Sequence, residues 1–277
     1  MISQILREGF KNKTFLAGTI IILTMTIIAA LAGVITNYSY DEINISNALV
    51  KPNLQHLFGT DQLGRDLFTR VVYGARIALR VGFIAVVIET FIGVTLGLLA
   101  GYYGGRIEKV ILFITDLTWS MPPIILALAI VTMLGPSINN VIIAIAIVSW
   151  AQFTRVVRAK TQSIKNLPYI EAARAFGEND FDIILRYILP NIVPSIIVIS
   201  TLALPSAIMA TTALGFLGLG AQPPTPDWGV ILSEGITYIN KASWISIFPG
   251  IAIVSIVVGF NLLGEGLRDV LDPRLKV

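Results

Sequence analysis

The chain of 277 residues is 55% hydrophobic and only 13% charged, with a net charge of +3 and a mean hydropathy of +0.79. An ordinary soluble domain is about 25% charged. Here the apolar residues come in long runs, which places the chain in the membrane class. The absence of cysteine excludes disulfides and thiolate metal sites. Basic residues that flank apolar runs are explained by topology rather than by nucleic acid.

Runs of roughly 20 apolar residues, enough to cross about 30 Å of hydrocarbon, predict six spans: 15–35, 81–100, 110–134, 138–153, 192–214 and 245–263. The fourth is the shortest and has room to extend to Val157, with Arg155 at its end. Residues 1–14 read as a cytoplasmic amphipathic segment, with Ile2, Ile5, Leu6 and Phe10 toward lipid. The first span has no small-residue cleavage pattern and reads as an anchor that stays. With the N-terminus inside, six spans return the C-terminus inside. All 20 Lys and Arg then fall in inside segments except Lys51, Arg65, Arg70, Arg76, Arg80 and Lys241, as the positive-inside rule requires. Residues 15–277 thus form one six-helix transmembrane domain, with an extracytoplasmic segment 36–80 and a cytoplasmic segment 154–191.

The outside arginines cluster in GRDLFTRVVYGARIALR, residues 64–80. Leu67, Phe68, Val71, Val72, Ala75 and Leu79 share one helical face, which predicts a helix lying in the outer interface and feeding span 2. Span 2 then carries Gly93, Gly97, Gly101 and Gly105 at four-residue intervals. Such a stripe permits close helix approach, and packing within the bundle is favoured over a subunit interface. Two acids fall inside spans. Glu89 lies roughly 13 Å from the outer end of span 2 by helix rise, and Asp116 lies in the inner third of span 3. A pathway-facing or hydrogen-bonded structural acid is favoured over a proton relay for both, because no intramembrane cationic partner is legible. Pro122–Pro123 in span 3 and Pro205 in span 5 predict bends.

Between spans 4 and 5 stands EAARAFGENDFDIILRYILP, residues 171–190. Pro168 suits the first turn of a helix. Gly177 permits a left-handed stop, and Asn179 can cap a second helix with Asp180 and Asp182 in its acidic first turn. Two short helices joined at a glycine are predicted. Ala172 and Ala173 keep one face thin, so that another protein could approach, and Glu171 and Arg174 offer charges for pairing. Physical chemistry alone balances this loop evenly between a solvated connector and a docking element. On the outside, Pro223–Pro224–Thr225–Pro226 with Asp227 and Trp228 forms a stiff loop. It reads equally as a contact for a delivery protein or as a rigid turn. His56, the single histidine, has no role in this reading.

EAARAFG with the later Leu189–Pro190 resembles the EAA loop of ABC importer permeases. Tyr187 stands where the generic pattern has Ile. FGTDQLGRDLFTRVVYGAR (58–76), AGYYGG (100–105), FLGLGAQPPTPDWG (216–229) and GEGLRDVLDPR (264–274) resemble the C-type permease of the dipeptide, oligopeptide and nickel ABC importer family. The resemblance implies an all-α integral membrane protein with six transmembrane helices. It would have the type I ABC importer permease (MetI-like) fold, with cytoplasmic termini and a place in the cytoplasmic membrane. It also implies a heterodimer with a B-type permease, two ATP-binding subunits and an extracytoplasmic substrate-binding protein. Glu171, Ala172, Ala173, Arg174 and Gly177 would form the coupling helix that engages an ATPase. No phosphate-cradling loop of the G-x-x-x-x-G-K-[S/T] type occurs, so no cofactor is assigned to this chain, and ATP and Mg would belong to the partner ATPases. Peptides are the favoured cargo, with nickel or a metal chelate as the alternative within the family. A proton-driven carrier using Glu89 and Asp116 is the alternative from another class.

Overall fold

A computed structural model describes residues 9–271. The N-terminal amphipathic segment falls largely on residues 1–8 and lies mostly outside the described residues, as does the end of the 264–274 motif. Among the described residues, five helices are long and apolar enough to cross a membrane. They are α1 (Lys13–Ala30), α3 (Leu67–Tyr103), α6 (Ile138–Ile164), α8 (Asp180–Phe216) and α10 (Trp244–Leu271). A sixth crossing is the pair α4 (Gly105–Trp119) and α5 (Pro123–Leu134), bent by 87° at the break. Short α2 (Ala32–Ile35) follows α1, α7 (Pro168–Ala175) lies between α6 and α8, and α9 (Trp228–Ile236) lies between α8 and α10.

The bend in the third crossing has a local cause. Pro123 occupies the first turn of α5, where its missing N–H leaves no bond unmade, but its ring prevents α4 from running through. Pro205 behaves differently. It sits inside α8, which stays helical across both Pro194 and Pro205 and contains a π-helical stretch, Ile183–Ile188.

The helix predicted to lie in the outer interface is instead the first part of α3. That helix runs unbroken for 37 residues, about 55 Å by helix rise, so it overshoots the hydrocarbon. Its apolar face is covered by protein rather than lipid. Leu67, Val71, Ala75 and Ala78 are buried against Trp228 and Ile231 of α9 and Ile245, Ile256 and Phe260 of α10. Three of the four outside arginines, Arg65, Arg70 and Arg76, are likewise structural. Arg65 pairs with Asp61 at 2.6 Å and with Glu234 at 3.1 Å, and Arg70 reaches Asp61 at 3.2 Å. Arg76 donates to the carbonyls of Ala29 and Ala30 at 3.0 Å each, answering orphan acceptors at the end of α1. His56, without a role in the sequence reading, bonds the buried carboxylate of Asp66 at 2.9 Å. Asp66 in turn caps α3 through the Thr69 N–H at 2.8 Å.

The glycine stripe packs α3 on α6. A Cβ at Gly97 would stand 2.6 Å from the Val157 Cβ and 2.8 Å from the Thr154 carbonyl oxygen, and Gly101 meets the Arg158 carbonyl at 2.8 Å in the same way. Gly93 faces Trp150 and Phe153. Gly105 leaves the stripe: it opens α4 with φ +56° and nothing near it.

Helix α6 runs to Ile164, beyond the span predicted to end near Phe153. The polar residues that end the hydrophobic run do not end the helix, because they project it past the lipid. Segment 154–191 is therefore mostly helix, with α7 as a short separate piece inside it.

Candidate functional site

Helix α7 is built by its own sequence. Pro168 stands in its first turn. At its end Gly177, at φ +87°, lets the chain reverse. The Gly177 N–H donates to the Arg174 carbonyl at 3.1 Å and the Glu178 N–H to the Ala173 carbonyl at 3.1 Å, the paired bonds of a Schellman stop. Asn179 then caps α8 by accepting the Asp182 N–H at 2.9 Å.

Two residues anchor α7 to the bundle. Ile170 and Ala173, three apart and so on one face, are both buried, and Ile170 joins a cluster with Leu98, Val157, Ile183 and Ile188. Ala173 therefore faces the chain's own core, which corrects its expected place on the thin outer face. The outer face consists of Glu171, Ala172 and Arg174, with Gly177 also exposed, and Phe176 is 91% exposed beside them. Tyr102, at the end of α3, ties this unit down. Its hydroxyl donates to Asp180 at 2.6 Å, and Arg174 Nη2 approaches the same hydroxyl at 3.5 Å. On the same end of the bundle, Glu108 of α4 accepts from Arg158 Nε at 2.6 Å and Gln162 Nε2 at 2.9 Å of α6.

A second polar feature runs along α6. Arg155 pairs with Asp116 of α4, and its guanidinium lies 4.5 Å above the Trp119 ring. This corrects the reading of Asp116 as an acid without a cationic partner: α6 extends past the hydrophobic run and carries Arg155 to it. One turn back stands Gln152, exposed, with Ser149 half-buried behind it, and Ser206 of α8 is exposed on the same cavity. Glu89 of α3 backs the cavity and is 1% exposed.

The outside loop holds Asp227 and Trp228 in the interior, at 4% and 2% exposure, so neither offers the delivery-protein contact considered for it. Asp227 caps α9 by accepting the Gly229 N–H at 2.7 Å. A Cβ at Gly215 would stand 2.6 Å from its Oδ1 and one at Gly220 2.9 Å from its Oδ2, so Asp227 requires glycine at both positions. Burial raises the Asp227 carboxyl above its ordinary value, and the Gly229, Ala221 and Val230 N–H groups oppose that rise. The Trp228 indole donates to the Val71 carbonyl at 2.9 Å.

Residues 93–277 match the family described as binding-protein-dependent transport system inner membrane component. Residues 1–54 match the N-terminal TM domain of oligopeptide transport permease C. The chain belongs to this permease family. It is 50% identical over 274 residues to the dipeptide transport system permease protein DppC of Alkalihalophilus pseudofirmus, covering 98% of this chain and 90% of that protein. It is 45% identical over 239 residues to the glutathione transport system permease protein GsiD of Pectobacterium atrosepticum, covering 86% of this chain and 78% of that protein. Its fold is similar to a chain of the inward-facing MetNI methionine ABC transporter, with a TM-score of 0.59 at 21% identity over 74% of this chain and 97% of that one. The protein is a C-type, multi-pass inner-membrane permease subunit of an ABC importer with the type I fold, and it works with ATPase and other subunits.

Within this permease, the sequence reading missed the residues that mount and flank the candidate site. Tyr102 and Asp180 are 78 residues apart, and nothing local pairs them. The Ile170/Ala173 spacing was readable as the buried face of α7. Phe176, Ser149, Gln152 and Ser206 carry no signal until the helices are placed together.

Proposed function

We propose that this permease imports small peptides and is driven through α7 by separate ATPase subunits. The assembly would pair it with a B-type permease, two ATP-binding subunits that hold ATP and Mg, and an extracytoplasmic binding protein that delivers cargo. The single observation that carries this reading is the mounting of α7. Its inner face is fixed by buried Ile170 and Ala173 and by the Tyr102 clamp, while Glu171, Ala172, Arg174 and Phe176 are presented outward. A short rigid helix of this kind transmits displacement of a docked subunit directly into α3 and α8, because packed elements move together rather than deform. The names of the relatives, a dipeptide and a glutathione permease, support peptide cargo.

The test is uptake of a labelled dipeptide by the full importer in proteoliposomes containing ATP. Ala172→Trp places a large side chain on the exposed face without touching the bundle. It should abolish uptake and weaken ATPase-subunit binding while the permease still inserts. Normal uptake by Ala172→Trp, or peptide movement by this chain without any ATPase subunit, would refute the proposal.

A further inference from the structure

Glu89 is a buried group whose chemistry the packing leaves unused. Its Oε2 has no hydrogen-bond partner, and Ser149 stands beside it on the same cavity. It backs a cavity of about 130 Å³ that also meets Ser149, Gln152 and Ser206. That is well above the roughly 10–15 Å³ one water needs. The cavity opens outward, because Gln152 and Ser206 on its rim are exposed. Exposed polar side chains this deep in a bundle are costly against acyl chains and so face a wet route. Three residues after Gln152 on α6, the partly exposed pair Arg155–Asp116 continues the same polar surface. The larger hollow between α3 and α8, about 830 Å³, is different. Its walls are mainly Val, Leu, Ile and Phe, and Thr90 and Ser200 within it bond each other at 3.0 Å.

We infer that Glu89, Ser149, Gln152 and Ser206 form a cation niche in the wall of the transport route that takes the free ammonium group of a passing peptide. The inference rests on the peptide-import reading above. An ammonium has three donors and no acceptor. The niche can turn several acceptors toward it: the free carboxyl oxygen, the Gln152 amide oxygen and two hydroxyls, which rotate to suit. An ammonium that enters the middle of the membrane loses its water at high cost, and acceptors already in place offset that loss through charge-assisted bonds. The niche has room for the ammonium group while the rest of the peptide stays in the open route. It therefore reads a group that every unmodified peptide carries, whatever its sequence.

The test uses the complete importer in proteoliposomes, with its binding protein saturated by labelled Ala–Ala so that delivery is not limiting. Glu89→Gln keeps the shape and removes the ionisable carboxyl. Uptake per assembled complex should fall about tenfold, the size of one lost charge-assisted bond. Ser206→Lys leaves Glu89 in place and tethers an ammonium at the rim, and it should transport at least about tenfold more slowly than Ser206→Met, which adds similar bulk without charge. Wild-type uptake by assembled Glu89→Gln, or equal uptake by the Lys and Met variants, overturns the niche. If Glu89→Gln does not assemble, the Ser206 pair decides. Absence of ATP-driven uptake by the wild-type importer would instead refute the peptide-import reading itself.

Discussion

The Tyr102 hydroxyl donates to the Asp180 carboxylate across 2.6 Å, joining the last turn of α3 to the first turn of α8. Because Arg174 reaches the same hydroxyl, one phenol links α3, α7 and α8. Tyr102→Phe keeps the ring and removes the bond. The fold should lose about 0.5–1.5 kcal/mol. Uptake by the importer should drop several-fold while the ATPase subunits still bind, since the exposed face of α7 is untouched. Parallel measurements of uptake and subunit pull-down check this; unchanged uptake would mean that the clamp transmits nothing.

Phe176 is 91% exposed at the C-terminal end of α7, beside Ala172 and Arg174. An aromatic anchor flanked by a small residue and an arginine is the composition of an interface hot spot. Phe176→Ala should weaken binding of purified ATPase subunits to the permease in nanodiscs by about 2 kcal/mol, roughly thirtyfold. The melting temperature of the permease alone should hardly move, because surface substitutions cost within about 0.5 kcal/mol.

What could be read in the sequence was what local chemistry decides. Pro168, Gly177 and Asn179 each impose their own backbone geometry, so the two helices of the EAA segment and the glycine between them were legible. The glycine stripe was legible because its spacing matches helix periodicity, although Gly105 breaks from it by starting a new helix. Helix ends were not legible. Hydropathy reports where lipid stops, whereas α3 and α6 continue as helices beyond it, and this misplaced the apolar face of residues 67–79. Partners distant in sequence were also hidden. Arg155 meets Asp116 from 39 residues away, and Glu89, Gln152 and Ser206 come from three helices whose rotation only packing sets.

Gly97 and Gly250 are both helical glycines, and opposite outcomes are expected from filling them. At Gly97 a side chain would collide with Val157 and the Thr154 carbonyl of α6, a backbone that cannot step aside. Gly97→Leu should cost at least about 1–3 kcal/mol, the range for overpacking, and should lower both the melting temperature and the yield of assembled importer. Gly250, inside α10, has nothing within 4 Å of the added Cβ. Gly250→Ala should be neutral or stabilising by up to about 1 kcal/mol, because it reduces the freedom of the unfolded chain. A thermal melt of each variant in the same detergent separates the two cases.

Asp227 joins a cap to a buried charge, and the two effects separate by substitution. Asp227→Ala removes the acceptor for the Gly229 N–H and should cost about 1–2 kcal/mol. Asp227→Asn keeps that acceptor, gives up the 3.5 Å contact from the Ala221 N–H and removes the buried charge. It should be close to neutral near pH 7. The pH dependence follows from the raised carboxyl. The folded protein holds the Asp227 proton more tightly than the unfolded chain, whose carboxyl titrates near 3.8. The wild type is therefore favoured at low pH, and this contribution is lost as pH rises from about 3.8 through the folded value. Asn has no proton to lose. The difference in melting temperature, wild type minus Asp227→Asn, should be largest on the acid side of that window and should decline across it. A difference that rose with pH would mean that the N–H groups of Gly229, Ala221 and Val230 outweigh burial and hold Asp227 as a stabilised carboxylate.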